Sequence, residues 1–308
     1  MSARRTTVVF IAGAGRSATT LLGHVLGQAS GFTFVGEAMY GWDSFAVRRC
    51  GCGTALPACA FWQAVHRRAG GTGALQASDL FGLGHLARWR HVPLTWLPGR
   101  VPRYRSLYGA HWTRCERLYA AVAAESAADV IVDSSKGVPY GHMLSLMPGL
   151  DLYVVHVVRD ARAVAHSWSR LKPAPDRFHR EHMLQRSRGR AACLWAVSNL
   201  AAELFFRRRP GRYLRLRYED LVARPRESVE RIVTMAATRS TEMPFDDERT
   251  VRLDATHSIA GNPDRLRTGR VELRPDDEWR TRQSRADRLV VTLLTWPLLA
   301  RYGYLGRA

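Results

Sequence analysis

The loop Gly13-Ala14-Gly15-Arg16-Ser17-Ala18-Thr19-Thr20 gathers two glycines, an arginine and three hydroxyl side chains. Such a loop between a buried strand and a helix presents free backbone N–H groups and the positive end of a helix dipole to an anion. It has the position of a P-loop but lacks the Gly-Lys-Ser/Thr ending that grips a nucleotide triphosphate and its magnesium. That departure weighs against a nucleotide kinase or NTPase. Val157-Val158-Arg159-Asp160, with Ser167 eight residues beyond the arginine, reads equally, taken alone, as a second anion site and as an ion pair at a helix start. Eight residues is a little over two helical turns, so Arg159 at the strand end and Ser167 on the helix can converge on one phosphate. Lys136 in Asp133-Ser134-Ser135-Lys136 is one of only two lysines in the chain, the other being Lys172. A point charge at a strand's carboxyl end can stabilise negative charge on a departing oxygen, and Arg16 can share that task.

The elements that must position these residues follow from periodicity. Thr6 to Ile11 is a β-branched apolar run suited to a strand buried on both faces, and Thr19 to Gln28 reads as the helix after the loop. Asp129 to Asp133 and Leu152 to Arg159 predict two further strands, the latter leading into a helix over Ala161 to Arg170. Tyr213 to Tyr218 alternates as a strand, and Arg226 to Ala237 follows as a helix. This recurring order predicts an α/β fold: a P-loop-like, doubly wound parallel sheet flanked by helices, with ligands at the carboxyl ends of the strands. Residues 41–126, where prolines, tryptophans and basic residues scatter, are expected to form a mostly helical acceptor-binding insertion within one domain spanning 1–308. No internal repeat or low-complexity linker breaks the chain.

Taken together and in order, these motifs resemble the PAPS-dependent sulfotransferase family of bacterial type, close to its carbohydrate and tyrosyl-protein branch. PAPS is 3′-phosphoadenosine 5′-phosphosulfate. The family's 5′-phosphosulfate loop has an Arg (or Lys)-Ser-Gly-Thr-Thr sequence after the first strand. Arg16, Ser17, Thr19 and Thr20 match it, and Ala18 stands where glycine is usual. If that position has ordinary helical backbone the alanine is nearly free, and this is what we expect. Gly15 completes the cradle. The resemblance assigns the 3′-phosphate to Arg159 and Ser167. It also implies that Thr256 to Gly269 forms the late loop covering that phosphate, with Arg265 or Arg267 adding positive charge. Glu37, in the Gly36-Glu37 pair, corresponds to the base that takes the acceptor's proton, a role a positioned carboxylate can fill for a poorly nucleophilic hydroxyl. Lys136 corresponds to the lysine beside the sulfuryl group. The activity implied is sulfuryl transfer from PAPS to a hydroxyl or amine, leaving adenosine 3′,5′-bisphosphate, with no metal expected. Arg217 to Leu221 and Trp195-x-x-x-Asn199 are family-like but read as structural.

Composition bounds the alternatives. With 308 residues, 46% of them hydrophobic, the chain can bury a full core. Its formal charge of +19 raises nucleic acid or another polyanion as partner. Of the basic residues 44 are arginines, however, and with the many alanines this reads as base-composition bias; no long basic run is present, so no nucleic acid is expected. A small molecule, a glycan or a lipid-linked sugar would suit the aromatics and arginines of residues 40–115. The apolar stretch after Thr7 is too short for a signal peptide, which leads us to expect a cytoplasmic enzyme. Leu289 to Ala300 contains Pro297 and is shorter than a bilayer requires; it predicts a buried terminal helix and no membrane span. Five cysteines do not suggest a disulfide framework. Cys50, Cys52 and Cys59 read as a tight glycine-bearing turn with buried or redox-labile thiols, though they could hold zinc if Cys115, Cys193 or a histidine came near. None of the 11 histidines has metal-motif spacing, and His156 on a buried strand reads as a satisfied core residue.

Overall fold

The computed structural model describes residues 5–41, 45–46, 48–79, 87–93, 98–178, 181–236 and 242–306. Strand β1 (Thr6–Gly13) sends Val8, Phe10 and Ala12 to one face and Val9 and Ile11 to the other, and all five are wholly buried. The two-residue period of a strand thus feeds two separate cores, as expected of a sheet covered on both sides. Each of the four larger side chains, Val8, Val9, Phe10 and Ile11, contributes about 1.5–3 kcal/mol through burial.

Around β1 lie β2 (Phe32–Gly36), β3 (Val130–Lys136), β4 (Leu150–Val158) and β5 (Tyr213–Arg217), in the order β2-β3-β1-β4-β5 with every pair parallel. Helix α1 (Thr19–Leu26) packs on one face. Helices α2 (Ala60–Arg68) and α3 (Val101–Ser126), both from the expected insertion, contribute Trp62, Tyr104 and Leu118 to the other core, together with α4 (Val138–Leu144). Parts of that insertion lie outside the described residues. A third cluster forms where α5 (Ala161–Ser169) meets α6 (Arg188–Phe206). After β5 come α7 (Tyr218–Ala223) and α8 (Pro225–Ala236); the expected end of α8 at Ala237 is outside the described residues. A two-stranded antiparallel ribbon, β6 (Thr250–Leu253) and β7 (Gly269–Glu272), precedes α9 (Trp279–Arg282) and α10 (Arg285–Arg301).

The chain crosses from β3 on one side of β1 to β4 on the other, which opens the crevice of a doubly wound sheet above β1. Register fixes what meets there. Ala12 pairs with Lys136 on one side and His156 on the other, so the ends of β3 and β4 flank the loop that follows β1.

The terminal helix differs from expectation. Val291, Thr295 and Leu299, spaced four apart, are buried, but Leu289, Val290, Leu293, Leu294 and Trp296 face outward. A single stripe at that spacing covers one face of a helix, leaving the remaining apolar residues without a core to enter. Among the described residues no helix is long and apolar enough to cross a membrane.

Candidate active site

The loop after β1 turns by placing two non-glycine residues in the left-handed region, Arg16 at φ 71° and Ala18 at φ 64°. Ala18 therefore does not have the ordinary helical backbone expected from sequence. It caps α1 in left-handed geometry without a side-chain hydrogen bond, and its Cβ against the following carbonyl costs about 1–2 kcal/mol. Ser17 between them is wholly buried, and its hydroxyl has no partner among the described residues. Gly15 lies against Trp168, where a Cβ would come within 2.9 Å of the indole. The same indole carries the Arg16 guanidinium 4.8 Å from its ring centre. Thr19 and Thr20 begin α1, and the Thr20 hydroxyl accepts the Asn262 N–H at 3.2 Å, which ties the late loop to the first. Arg16 also donates to the Met183 sulfur.

On the β3 side, Lys136 ends its strand at φ 64° and bonds both the Glu37 carboxylate and the Ser134 carbonyl, the latter at 3.0 Å. Gly36, at φ 77°, makes this possible: a Cβ there would stand 2.6 Å from the Ala260 carbonyl. That same carbonyl accepts the Glu37 N–H at 3.1 Å. Burial lowers the Arg16 pKa from the ordinary guanidinium value, opposed by the nearby Glu37 and Asp264 charges. Glu37, Lys136 and Arg16 are thus brought together. Beneath them Asp133 is fully buried, accepting from the Tyr119 hydroxyl at 2.6 Å and the Ser135 N–H at 2.8 Å; burial nonetheless pushes its carboxyl up to about 6.

On the β4 side, Asp160 caps α5 by accepting the Arg162 N–H at 2.8 Å and ion-pairs with Arg162. Arg159 is left to face the loop: it donates to the Arg16 carbonyl at 3.3 Å and to the Asp276 carbonyl at 2.7 Å. Its guanidinium also pairs with the Asp276 carboxylate at 3.2 Å and lies 4.2 Å from the Tyr218 ring centre. The Nε atom is buried without a partner among the described residues. Ser167 is buried on α5 two turns beyond, and Trp195 donates to the Arg159 carbonyl at 2.8 Å.

The late-loop arginines separate. Arg265 is wholly buried and donates to Ser258 and Arg49 carbonyls at 2.9 and 2.6 Å, with Asp176 at 3.3 Å. Both its terminal nitrogens are engaged by the protein, so it braces the loop; Arg267 is exposed. Sequence reasoning missed three neighbours. Lys172 has its pKa lowered by burial and by Arg170 and Arg16, so the second lysine also reaches this cationic cluster. Its rarity was the available signal. Asp276 lies 117 residues from Arg159, and no motif announces it. His166 is buried beside Ser167 with both ring nitrogens lacking partners among the described residues.

A family model described as the sulfotransferase family matches residues 114–242, a span that holds Lys136, Arg159 and Ser167. No curated protein matches the chain. Among solved structures the chain is similar to the sulfotransferase domain from the curacin biosynthetic pathway, with 18% identity, a TM-score of 0.50, and 96% of this chain and 98% of that one covered. It is also similar to the sulfotransferase domain of the Synechococcus PCC 7002 olefin synthase, with 19% identity, a TM-score of 0.48, and coverage of 96% and 95%. At such identity the curacin-pathway domain speaks for the fold alone, and the family model for one stretch of sequence: residues 114–242 of this chain are similar to the sulfotransferase family.

Proposed function

We propose that this chain moves a sulfuryl group from PAPS to a hydroxyl or amine of its acceptor. The observation that carries the reading is the pair of buried polar atoms without a partner among the described residues, Ser17 Oγ and Arg159 Nε, on the two loops that meet above β1. Buried polar atoms without partners are costly, and an anion bridging the loops would satisfy them. The chain would hold the 5′-phosphosulfate on residues 15–20 and the 3′-phosphate on Arg159 and Ser167, with Arg267 the late-loop arginine free to approach. Bound PAPS supplies the activated sulfur.

Glu37 takes the proton of the acceptor as its oxygen or nitrogen bonds to sulfur. Lys136, held between Glu37 and the Ser134 carbonyl, and Arg16 steady the charge that moves onto the bridging oxygen as the S–O bond breaks. The product on the nucleotide side is adenosine 3′,5′-bisphosphate. Residues 41–126 form the acceptor side of a single domain, suited to a glycan, a lipid-linked sugar or a small aromatic compound.

The test is thermal denaturation with adenosine 3′,5′-bisphosphate, 5′-AMP or ATP. A ligand binding only the folded state at a hundred times its Kd adds about 2.7 kcal/mol. A rise selective for the bisphosphate is expected. Equal responses to bisphosphate and AMP would remove the role given to Arg159 and Ser167, and turnover of ATP would favour the kinase reading.

A further inference from the structure

Cys50, Cys52 and Cys59 stand on the turn that opens the insertion, and His257 stands on the late loop about 200 residues away. The fold brings all four together. The Cys59 sulfur is 3.4 Å from His257 Nδ1, the Cys50 sulfur 3.8 Å from the same nitrogen, and the Cys52 and Cys59 sulfurs 3.8 Å apart. All four ligand atoms lie within 4.8 Å of one another. Zinc bonds of about 2.3 Å to sulfur and about 2.0 Å to nitrogen, at tetrahedral angles, set ligand atoms about 3.8 Å apart for two sulfurs and about 3.5 Å for sulfur and nitrogen. The three separations given above lie within about 0.3 Å of those values, and the remaining pairs lie within 4.8 Å. We propose that Cys50, Cys52, Cys59 and His257 bind a structural zinc ion.

The surroundings suit a closed tetrahedral site. Cys50 and Cys59 are buried and Cys52 is half-buried. The Thr54 hydroxyl lies 3.1 Å from the Cys52 sulfur, where it can donate to a thiolate. The imidazole is oriented from two sides: Phe61 stacks on it with ring centres 4.4 Å apart and 4° between planes, and Trp62 donates to the His257 carbonyl at 2.9 Å. Between the first two cysteines Gly51 passes so close to the late loop that a Cβ would stand 2.4 Å from the Thr256 carbonyl, and its N–H bonds the Ser258 carbonyl at 2.9 Å. Three thiolates and a neutral imidazole leave a zinc site one negative charge, and the buried guanidinium of Arg265 has Cys50 in its electrostatic surroundings. The condition that sequence left open, a histidine arriving from elsewhere, is met by His257. Cys115 is buried elsewhere, in the α3 core, and Cys193 is exposed.

Such an ion would fasten the insertion to the late loop. The residues directly after His257 support the transfer site: Ile259 donates to Val35, Ala260 accepts from Glu37, and Asn262 donates to Thr20. Zinc here is a positioning element, distinct from the sulfuryl chemistry, and it stands whether or not the donor is PAPS. Its binding releases the thiol protons, and a site that forms only on folding contributes its binding free energy to stability.

The test is elemental analysis of the full-length protein purified in reductant without chelator. One zinc per chain is expected, retained through desalting, lost in Cys52→Ser and His257→Gln, and kept in Cys193→Ser. Exchange with cobalt should give the intense visible bands of a tetrahedral thiolate complex, a readout on the wild-type chain that survives if a ligand variant fails to fold. Stripping the metal should lower Tm by several degrees, restored by zinc and not by magnesium. Absence of metal with three freely titrating thiols, or a Cys52–Cys59 disulfide in the isolated protein, would overturn the proposal.

Discussion

Two buried polar groups three residues apart, His156 near the end of β4 and Arg159 just beyond it, have opposite surroundings. The His156 ring is wholly buried and both nitrogens are satisfied, Nδ1 facing the Tyr213 hydroxyl and Nε2 the Asn199 amide oxygen, each at 2.8 Å. Among the described residues Arg159 keeps a nitrogen without a partner, and across from it Ser17, between two left-handed residues, keeps a hydroxyl without one. Polar groups that close on each other hold a fold, whereas those left open in a strained loop mark a place where a ligand completes the bonding. The comparison separates groups that hold the fold from groups proposed to meet a ligand.

The largest effect expected falls on the open side. Glu37→Gln removes the proposed proton acceptor while keeping its shape, and kcat should drop by about 10²- to 10⁴-fold. Affinity for adenosine 3′,5′-bisphosphate, measured by calorimetry, should stay near wild type. Full activity in this variant would move the base elsewhere, and Lys136 would then be paired with Glu37 for structure alone.

On the closed side, acid is the probe. Burial holds the His156 pKa down to about 4, against 6.5 for the free ring. Between these values the unfolded chain binds the extra proton, so stability is full above about pH 6.5 and falls as pH drops toward 4. The loss attributable to this one group approaches about 3 kcal/mol. Asp133 works in the opposite direction: its carboxyl, raised to about 6 by burial, favours the folded state most below the ordinary carboxylate range and loses that contribution as pH rises to about 6. The measurement is therefore a difference in denaturant midpoints against pH between wild type and His156→Gln, which keeps hydrogen bonding and loses the titration. Parallel curves would show that the imidazole is not the acid-sensitive element.

The proposed open side rests on short motifs, which is why sequence alone could suggest it. Arg16, Ser17, Thr19 and Thr20 are consecutive or nearly so, and Arg159 and Ser167 share a strand–helix unit, so local spacing suffices. The backbone angle of Ala18 was misread, since a left-handed residue leaves no signature when alanine stands in place of glycine. Arg265 was misread for a different reason. In a chain with 44 arginines type alone cannot tell a brace from a binder, and only the contacts to Ser258, Arg49 and Asp176 do. Asp276, His166 and the meeting of His257 with the cysteines depend on long-range packing, which periodicity does not encode. On the closed side, His156 as a satisfied core residue followed from its place in an apolar strand, although its partners did not.

Arginine 159 gives a smaller but sharper contrast. Truncating it to alanine removes a charged hydrogen-bond donor, worth about 1.5–3 kcal/mol. The preference for the bisphosphate over AMP should fall by about 10- to 100-fold in a titration of the two ligands. Asn199→Ala, which opens the His156 network, should leave that preference intact and lower stability instead. If both variants changed the preference alike, the division between the two sides of β4 would fail.

The smallest effect concerns the strain itself. Ala18 at φ 64° and ψ 21° carries a left-handed cost of about 1–2 kcal/mol that glycine avoids. Glycine also enlarges the freedom of the unfolded chain, which takes back about 0.4–1 kcal/mol. Ala18→Gly should therefore stabilise the protein by about 0.5–1 kcal/mol in denaturant unfolding. The same change at Ala196, inside helix α6, should destabilise by about 1 kcal/mol, because there glycine only adds entropy to the unfolded state. Opposite signs for two identical substitutions would place the strain in the loop, and a loss at both would mean that residue 18 begins α1 with ordinary helical backbone. Ligand affinity separates the remaining question: if the strain only positions the Ser17 hydroxyl, the relaxed loop should bind the bisphosphate as before, since glycine can adopt the same angle without being forced into it.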